Sequence, residues 1–248
     1  MKFKHLLCLP LALGLLALSD SAPAGPGVWT SSGPAGGRVA TIVASPFTVD
    51  EFYALGNGTV FKSVDGGSTW AEFSARINRR VFRLVHSGTA ANRLMANNAT
   101  KVWYTDDGGV SWLERTPPAA LVGSETLGAL AASAALPGTY YIALSDGRIL
   151  VTEDAGLTWR ATAPVVQPDP TFITAIAADP AAPHRVLVAT QTDFAASDHR
   201  VWIGDLSDPP PATVWTDLPC PVDCPWDQGP ISEVEFGSMG RVWAIPSF

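Results

Sequence analysis

Ser63-Val64-Asp65-Gly66-Gly67-Ser68-Thr69-Trp70 recurs as Thr105-Asp106-Asp107-Gly108-Gly109-Val110-Ser111-Trp112, and again as Thr152-Glu153-Asp154-Ala155-Gly156-Leu157-Thr158-Trp159. Each octet obeys [Ser/Thr]-x-Asp-x-Gly-x-[Ser/Thr]-Trp, a pattern too specific to recur by chance. The octet has the chemistry of a tight β-turn. A short Asp side chain accepts hydrogen bonds from backbone N–H groups two residues on and holds the turn. Gly67, Gly109 and Gly156 supply a residue that takes positive φ at no steric cost. The flanking Ser or Thr and the Trp suit strand positions, and the Trp buries a large apolar body against a neighbouring sheet. Each octet therefore predicts a hairpin stapled by Asp65, Asp107 or Asp154 and anchored by Trp70, Trp112 or Trp159. The competing reading is a calcium loop, which Asp106-Asp107-Gly108-Gly109 resembles superficially. An EF-hand loop needs carboxylates at alternate positions and a closing Glu, and the octets have neither. The boxes are read as structural, and no metal site is expected.

The segments between the octets repeat as well. Short apolar runs over Arg38–Ala44, Phe52–Leu55 and Thr59–Lys62 precede the first octet. Runs over Arg80–Val85, Arg93–Ala96 and Lys101–Tyr104 precede the second, and Leu127–Ala132, Tyr140–Ala143 and Arg148–Val151 the third. A fourth unit runs through Phe172–Ala177, Arg185–Ala189 and Arg200–Ile203 to Trp215, its octet degenerate and widened by Pro209, Pro210 and Pro211. A fifth begins at Ile231–Phe236 and Arg241–Ile245. Four strands per unit at this period are the signature of an all-β propeller. Val28–Ser32 reads as the outermost strand of a blade, with Trp29 spaced before Trp70 much as Trp70 is before Trp112. The expectation is about five blades over residues 25–248, the last incomplete and completed in part by this N-terminal strand. Two accounts of the shortfall stand: a small ring closed by a three-stranded hybrid blade, or a C-terminally truncated chain. The open edge that a mid-blade end leaves favours truncation.

The octet resembles the Asp-box, or BNR repeat, of the β-propeller superfamily that includes sialidases, sortilin-type receptor domains, xyloglucan-active glycosidases and Ycf48-like photosystem II assembly factors. The resemblance covers nearly all of the chain after its leader. It implies that the boxes close the outer hairpin of each blade, on the face opposite the one that binds ligands. Functional residues are then expected in the loops leading into each inner strand, namely Arg38, Arg79, Arg80, Glu125, Asp169 and Asp227. Arg38, Arg79 and Arg80 together offer guanidinium forks for a carboxylate; the alternative is separate surface pairs.

Composition narrows the class. The chain has 248 residues, 47% hydrophobic and 16% charged, with short strand-forming runs broken by 22 Gly and 21 Pro. A net charge of −7 argues against nucleic acid or an anionic membrane surface as partner. Lys2 and Lys4, the apolar run Leu6–Leu18 and the small residues Ala22-Pro23-Ala24 form a secretory signal over residues 1–24. The run is short for a membrane span, although an uncleaved anchor is the competing reading. The expectation is an exported protein, periplasmic or extracellular, with no membrane insertion after cleavage. Cys220 and Cys224 are candidates for a local disulfide in an oxidising compartment, or two separate thiols.

No nucleophile elbow, zinc-protease helix, phosphate loop or dinucleotide fingerprint occurs, and no cofactor is expected. A sialidase needs an arginine triad, a Tyr nucleophile with a carboxylate partner and an acid/base carboxylate. Phe82-Arg83-Leu84-Val85 is the nearest match to the sialidase Phe/Tyr-Arg-Ile-Pro signature, but it lacks the Pro and follows the first box. It reads as an ordinary inner strand with Phe82 and Leu84 on one face and Arg83 on the other. The preferred reading is a binding or scaffolding module for a protein or carbohydrate ligand. The alternative is a glycoside hydrolase of sialidase-like ancestry. No catalytic residue is assigned.

Overall fold

The computed structural model describes residues 38–73, 77, 81–165, 172–191, 199–207, 214–219, 231–237 and 241–246. The leader, Val28–Ser32, Arg79, Arg80, Asp169, Cys220, Cys224 and Asp227 lie outside these residues.

Five antiparallel sheets follow one another along the chain. Blade A holds β1 (Val39–Ala44), β2 (Phe52–Gly56), β3 (Thr59–Ser63) and β4 (Ala71–Glu72). Blade B holds β5 (Arg83–His86), β6 (Leu94–Asn97), β7 (Val102–Thr105) and β8 (Leu113–Glu114). Blade C follows the short helix α1 (Ala119–Val122) with β9 (Leu127–Ala132), β10 (Tyr140–Leu144), β11 (Ile149–Thr152) and β12 (Arg160–Ala161). Blade D holds β13 (Phe172–Ala178), β14 (Arg185–Gln191), β15 (His199–Asp205) and β16 (Thr216–Leu218). Blade E, among the described residues, has β17 (Ile231–Phe236) and β18 (Val242–Pro246) alone. Within each complete sheet the strands pair in chain order, so each blade is a meander. Among the described residues the single helical turn is the one departure from all-β structure.

The middle strands are buried at every position in β6, β7, β10 and β11. Both faces of a middle strand are covered because blades pack face to face, which is why these strands read as continuous apolar runs rather than alternating ones. Among the described residues four hydrophobic cores result. Tyr53 and Leu55 meet Leu84 and Trp103 between blades A and B. Met95 and Tyr104 meet Leu130 and Tyr140 between B and C. Tyr141 and Val151 meet Ile176 and Val188 between C and D. Leu187 and Val201 meet Ile231 and Val234 between D and E. Each fully buried large side chain on these faces contributes about 1.5–3 kcal/mol.

The three boxes are closed by the same bonds. The Thr105 hydroxyl donates to Asp107 at 2.6 Å and accepts from the Gly109 amide at 3.0 Å. The Ser111 amide and hydroxyl both donate back to Asp107, the hydroxyl at 2.6 Å. Asp65 and Asp154 repeat this with Ser63 and Thr69, and with Thr152 and Thr158. The acceptance therefore differs from the expected turn. The main backbone donor to each Asp lies four residues on, and the glycine amide is held by the preceding hydroxyl. The Trp sits just before the outer strand rather than in it, its indole donating to the box carbonyl of Gly67 or Gly156.

A second repeat was not anticipated. Ser45, Ser87, Ser133 and Asp179 each follow an inner strand and cap the next turn, accepting from the amides of Phe47, Thr89, Ala135 and Ala181. Five residues later, Asp50, Asn92, Gly138 and His184 all have left-handed φ. Their carbonyls accept from the fourth residue of the box or its counterpart, Gly66, Gly108, Ala155 and Leu206. Box and turn thus lock together at one end of every complete blade.

Candidate functional site

Each inner strand starts where the chain arrives from the preceding blade and ends at the turn that meets the box. The connections and the boxes therefore lie at opposite ends. The inner strands β1, β5, β9, β13 and β17 together line a cavity of about 700 Å³. Four of them carry a β-bulge near the connection end, at Ala40, within Gly128–Ala129, at Thr174 and at Ser232. A bulge bends its strand and re-aims side chains, here at the mouth away from the boxes. At the box end Gly88 approaches Ala134 so closely that a Cβ there would lie 2.4 Å from the Ala134 Cα.

Alanine dominates the walls, and the charges stand out against it. Counting back from the turn-capping position, Thr41, Arg83, Ala129, Ala175 and Glu233 occupy the same place in the five blades. Arg83 and Glu233 thus bring opposite charges to one level of the cavity from blades B and E, with Glu235 further along β17. Burial draws the Arg83 guanidinium below its ordinary pKa, and the charge of Glu233 opposes that shift. Among the described residues no carboxylate salt-bridges Arg83; its guanidinium rests over the Phe82 ring, 5.8 Å from the centroid. Opposite Arg83 in the sheet register is Asn97, whose amide donates to the Gly128 carbonyl at 3.0 Å. Its carboxamide oxygen is buried without a partner among the described residues.

His86 lines the same cavity at its box end. Its Nδ1 contacts the Ser87 carbonyl at 2.7 Å, which fixes the proton on that nitrogen and leaves Nε2, buried, as an acceptor. Burial lowers its pKa, so the neutral ring is favoured at neutral pH. The rings of Phe47 and Tyr53 flank it.

Of the expected loop residues, Arg38 is exposed just before β1, and Glu125 is half-buried in the connection to β9. Neither is among the residues lining the cavity. Glu125 accepts from Ser145 at 2.6 Å and from Ser124 at 3.3 Å, which pins its loop to the turn between β10 and β11. Asn98 and Asp146 cap their own turns, and Arg148 joins Asp146 to the Leu121 carbonyl of α1. Tyr53 donates to Glu51 at 3.0 Å beside Lys62. That pairing resembles a glycosidase nucleophile and its base, but Tyr53 is fully buried, as Tyr140 and Tyr141 essentially are, and no substrate reaches them. Among the described residues no three His, Cys, Asp or Glu side chains gather as a metal site.

Sequence reasoning weighed Arg83 and read it as part of an ordinary inner strand, and it did not single out Glu233. The signal was present: two charged residues at a repeat position held elsewhere by Thr or Ala.

No family model matches the chain, and no curated protein does. Solved structures do. An ancestral GH74 enzyme superposes with a TM-score of 0.55 at 15% identity, over 73% of this chain and 25% of that one. Ycf48 bound to a D1 peptide superposes with a TM-score of 0.50 at 19% identity, over 79% of this chain and 58% of that one. An extracellular domain from B. thetaiotaomicron gives 0.53 at 10% identity, over 81% of this chain and 25% of that one. The chain therefore spans a quarter to about three-fifths of the structures it matches. The fold is of the β-propeller type. Among the described residues no helix is long and apolar enough to cross a membrane.

Proposed function

We propose that this chain is a binding or scaffolding module, exported to the periplasm or cell exterior, that takes an extended peptide segment of a protein partner at the connection-side mouth of its central cavity. The observation that carries this reading is the placement of Arg83 on one wall and of Glu233 and Glu235 on another, separated by alanine. An extended peptide brings backbone donors and acceptors together with side chains of both signs, which suits walls of opposite charge. No Phe, Tyr or Trp lines the cavity among the described residues, whereas sugar rings are bound largely by stacking on aromatic faces. A peptide partner is accordingly favoured over a glycan. The peptide-bound Ycf48 among the fold's neighbours supports the reading at the level of fold alone.

One observation favours the alternative, a glycoside hydrolase of sialidase-like ancestry: Arg83, half-buried at the cavity, is available to grip a substrate carboxylate. The two readings separate in a parallel assay of the purified chain on an array of unstructured peptides, on polysaccharides and on fluorogenic glycosides including a sialoside. Peptide binding that weakens in Arg83→Ala, without glycoside turnover, supports the proposal. Sialoside turnover that Arg83→Ala abolishes overturns it in favour of the hydrolase.

A further inference from the structure

Five sheets in a closed ring share five faces, yet the described residues form four cores, none of them between blades E and A. The walls of that seam are of the interblade kind. Ile42 in β1 holds the repeat position of Leu84, Leu130, Ile176 and Val234. Those four are 1%, 7%, 8% and 4% exposed, each in the core with the preceding blade, whereas Ile42 is 57% exposed. Phe61, half-buried, lies on the same face through the register Ile42–Ala54–Phe61. On the other wall, Trp243 holds the position of Tyr53, Met95, Tyr141 and Leu187, all fully buried, yet is itself 57% exposed. Ile245, the counterpart of the buried Leu55, is exposed beside it.

We propose that this seam is a self-association surface whose occupant is a second copy of the chain, the blade A wall of one copy packing on the blade E wall of the next. Each copy carries both halves of the missing core, one wall with Ile42 and Phe61 and one with Trp243 and Ile245. Charge agrees with the pairing. Glu233 and Glu235 stand in register with Ile245 and Trp243 on the blade E wall. Arg38, which adjoins the blade A wall, has no salt-bridge partner among the described residues. Such a contact is heterologous, so it leaves one wall free at each end and association continues unless a ring closes.

Sedimentation of the purified chain tests this independently of ligand binding. The mass is expected to climb with concentration for the wild type and to stay monomeric for Ile42→Glu and for Trp243→Glu, each alone. Mixing the two variants is expected to restore association, because one keeps an intact blade E wall and the other an intact blade A wall. That restoration also shows that both variants are folded. A wild type that stays monomeric at every concentration, or a mixture that stays monomeric, overturns the proposal. So does a chain carrying both Ile42→Cys and Trp243→Cys in which a bridging reagent links the two within one monomer.

Discussion

The indole nitrogen of Trp159 donates to the backbone carbonyl of Arg115 at 3.0 Å, and to that of Gly156 at 3.1 Å. The first bond reaches from the box of blade C to the outer edge of blade B. A residue that looks like a local turn anchor is therefore also a clamp between blades. Trp70 makes only the local bond, to Gly67 at 3.0 Å, among the described residues. Trp159→Phe is expected to lose about 1–2 kcal/mol, because a neutral hydrogen bond is worth about 0.5–1.5 kcal/mol net. Trp70→Phe is expected to lose about half as much. Urea denaturation followed by far-UV circular dichroism ranks them, and equal losses would count against the clamp.

The box glycines are not equivalent either. Gly156 has φ +86, and a Cβ there would lie 2.7 Å from the Arg115 Cβ. Gly67 has nearly the same φ, but a Cβ would meet only the Trp70 ring at 3.8 Å. Left-handed backbone alone costs a non-glycine residue about 1–2 kcal/mol. Gly156→Ala is expected to exceed Gly67→Ala by a further ~1 kcal/mol or more, since Arg115 must shift. Chemical denaturation of the two variants decides between this order and a common penalty set by φ.

Acid stability follows from the box aspartates. Hydrogen bonds from Thr69 hold Asp65 below the usual carboxylate range, and those from Ser111 and Thr105 do the same for Asp107. For Asp154, burial pushes upward, but the bonds from Thr158 and Thr152 outweigh it. A folded-state pKa below the unfolded value gives stability that is present above the unfolded pKa, about 3.9, and lost as pH falls through the folded values. Melting temperature is expected to hold from neutral pH down to about 5 as far as the boxes are concerned, then to fall below about 4. Replacing Asp65, Asp107 and Asp154 together by Asn should flatten that acid limb without abolishing it, since Glu51 and Asp179 are lowered as well. An unchanged acid limb would show that the box carboxylates do not govern it.

The legibility of the chain divides along physical lines. The boxes were readable because each needs a particular side chain at several fixed positions. The middle strands were readable because burial on both faces demands unbroken apolar runs. The turn running from Ser45 to Asp50 and its three counterparts escaped notice because it fixes little more than a capping side chain and a left-handed residue. Arg83 was correctly placed on the face opposite Leu84. That the face opens onto a shared cavity depends on how five sheets surround a centre, which no local pattern encodes. The exposure of Ile42 was equally hidden, because its residue type is that of a core position and only its neighbours are missing among the described residues.

The proposed function rests on a peptide held between the cavity walls bearing Arg83 and Glu233. The most direct test is the dissociation constant of the tightest array peptide, measured by calorimetry for the wild type, Arg83→Ala and Glu233→Gln. On this proposal each substitution weakens binding at least about tenfold, or 1.4 kcal/mol, with the fold unchanged by circular dichroism. A dissociation constant indifferent to both substitutions would contradict it.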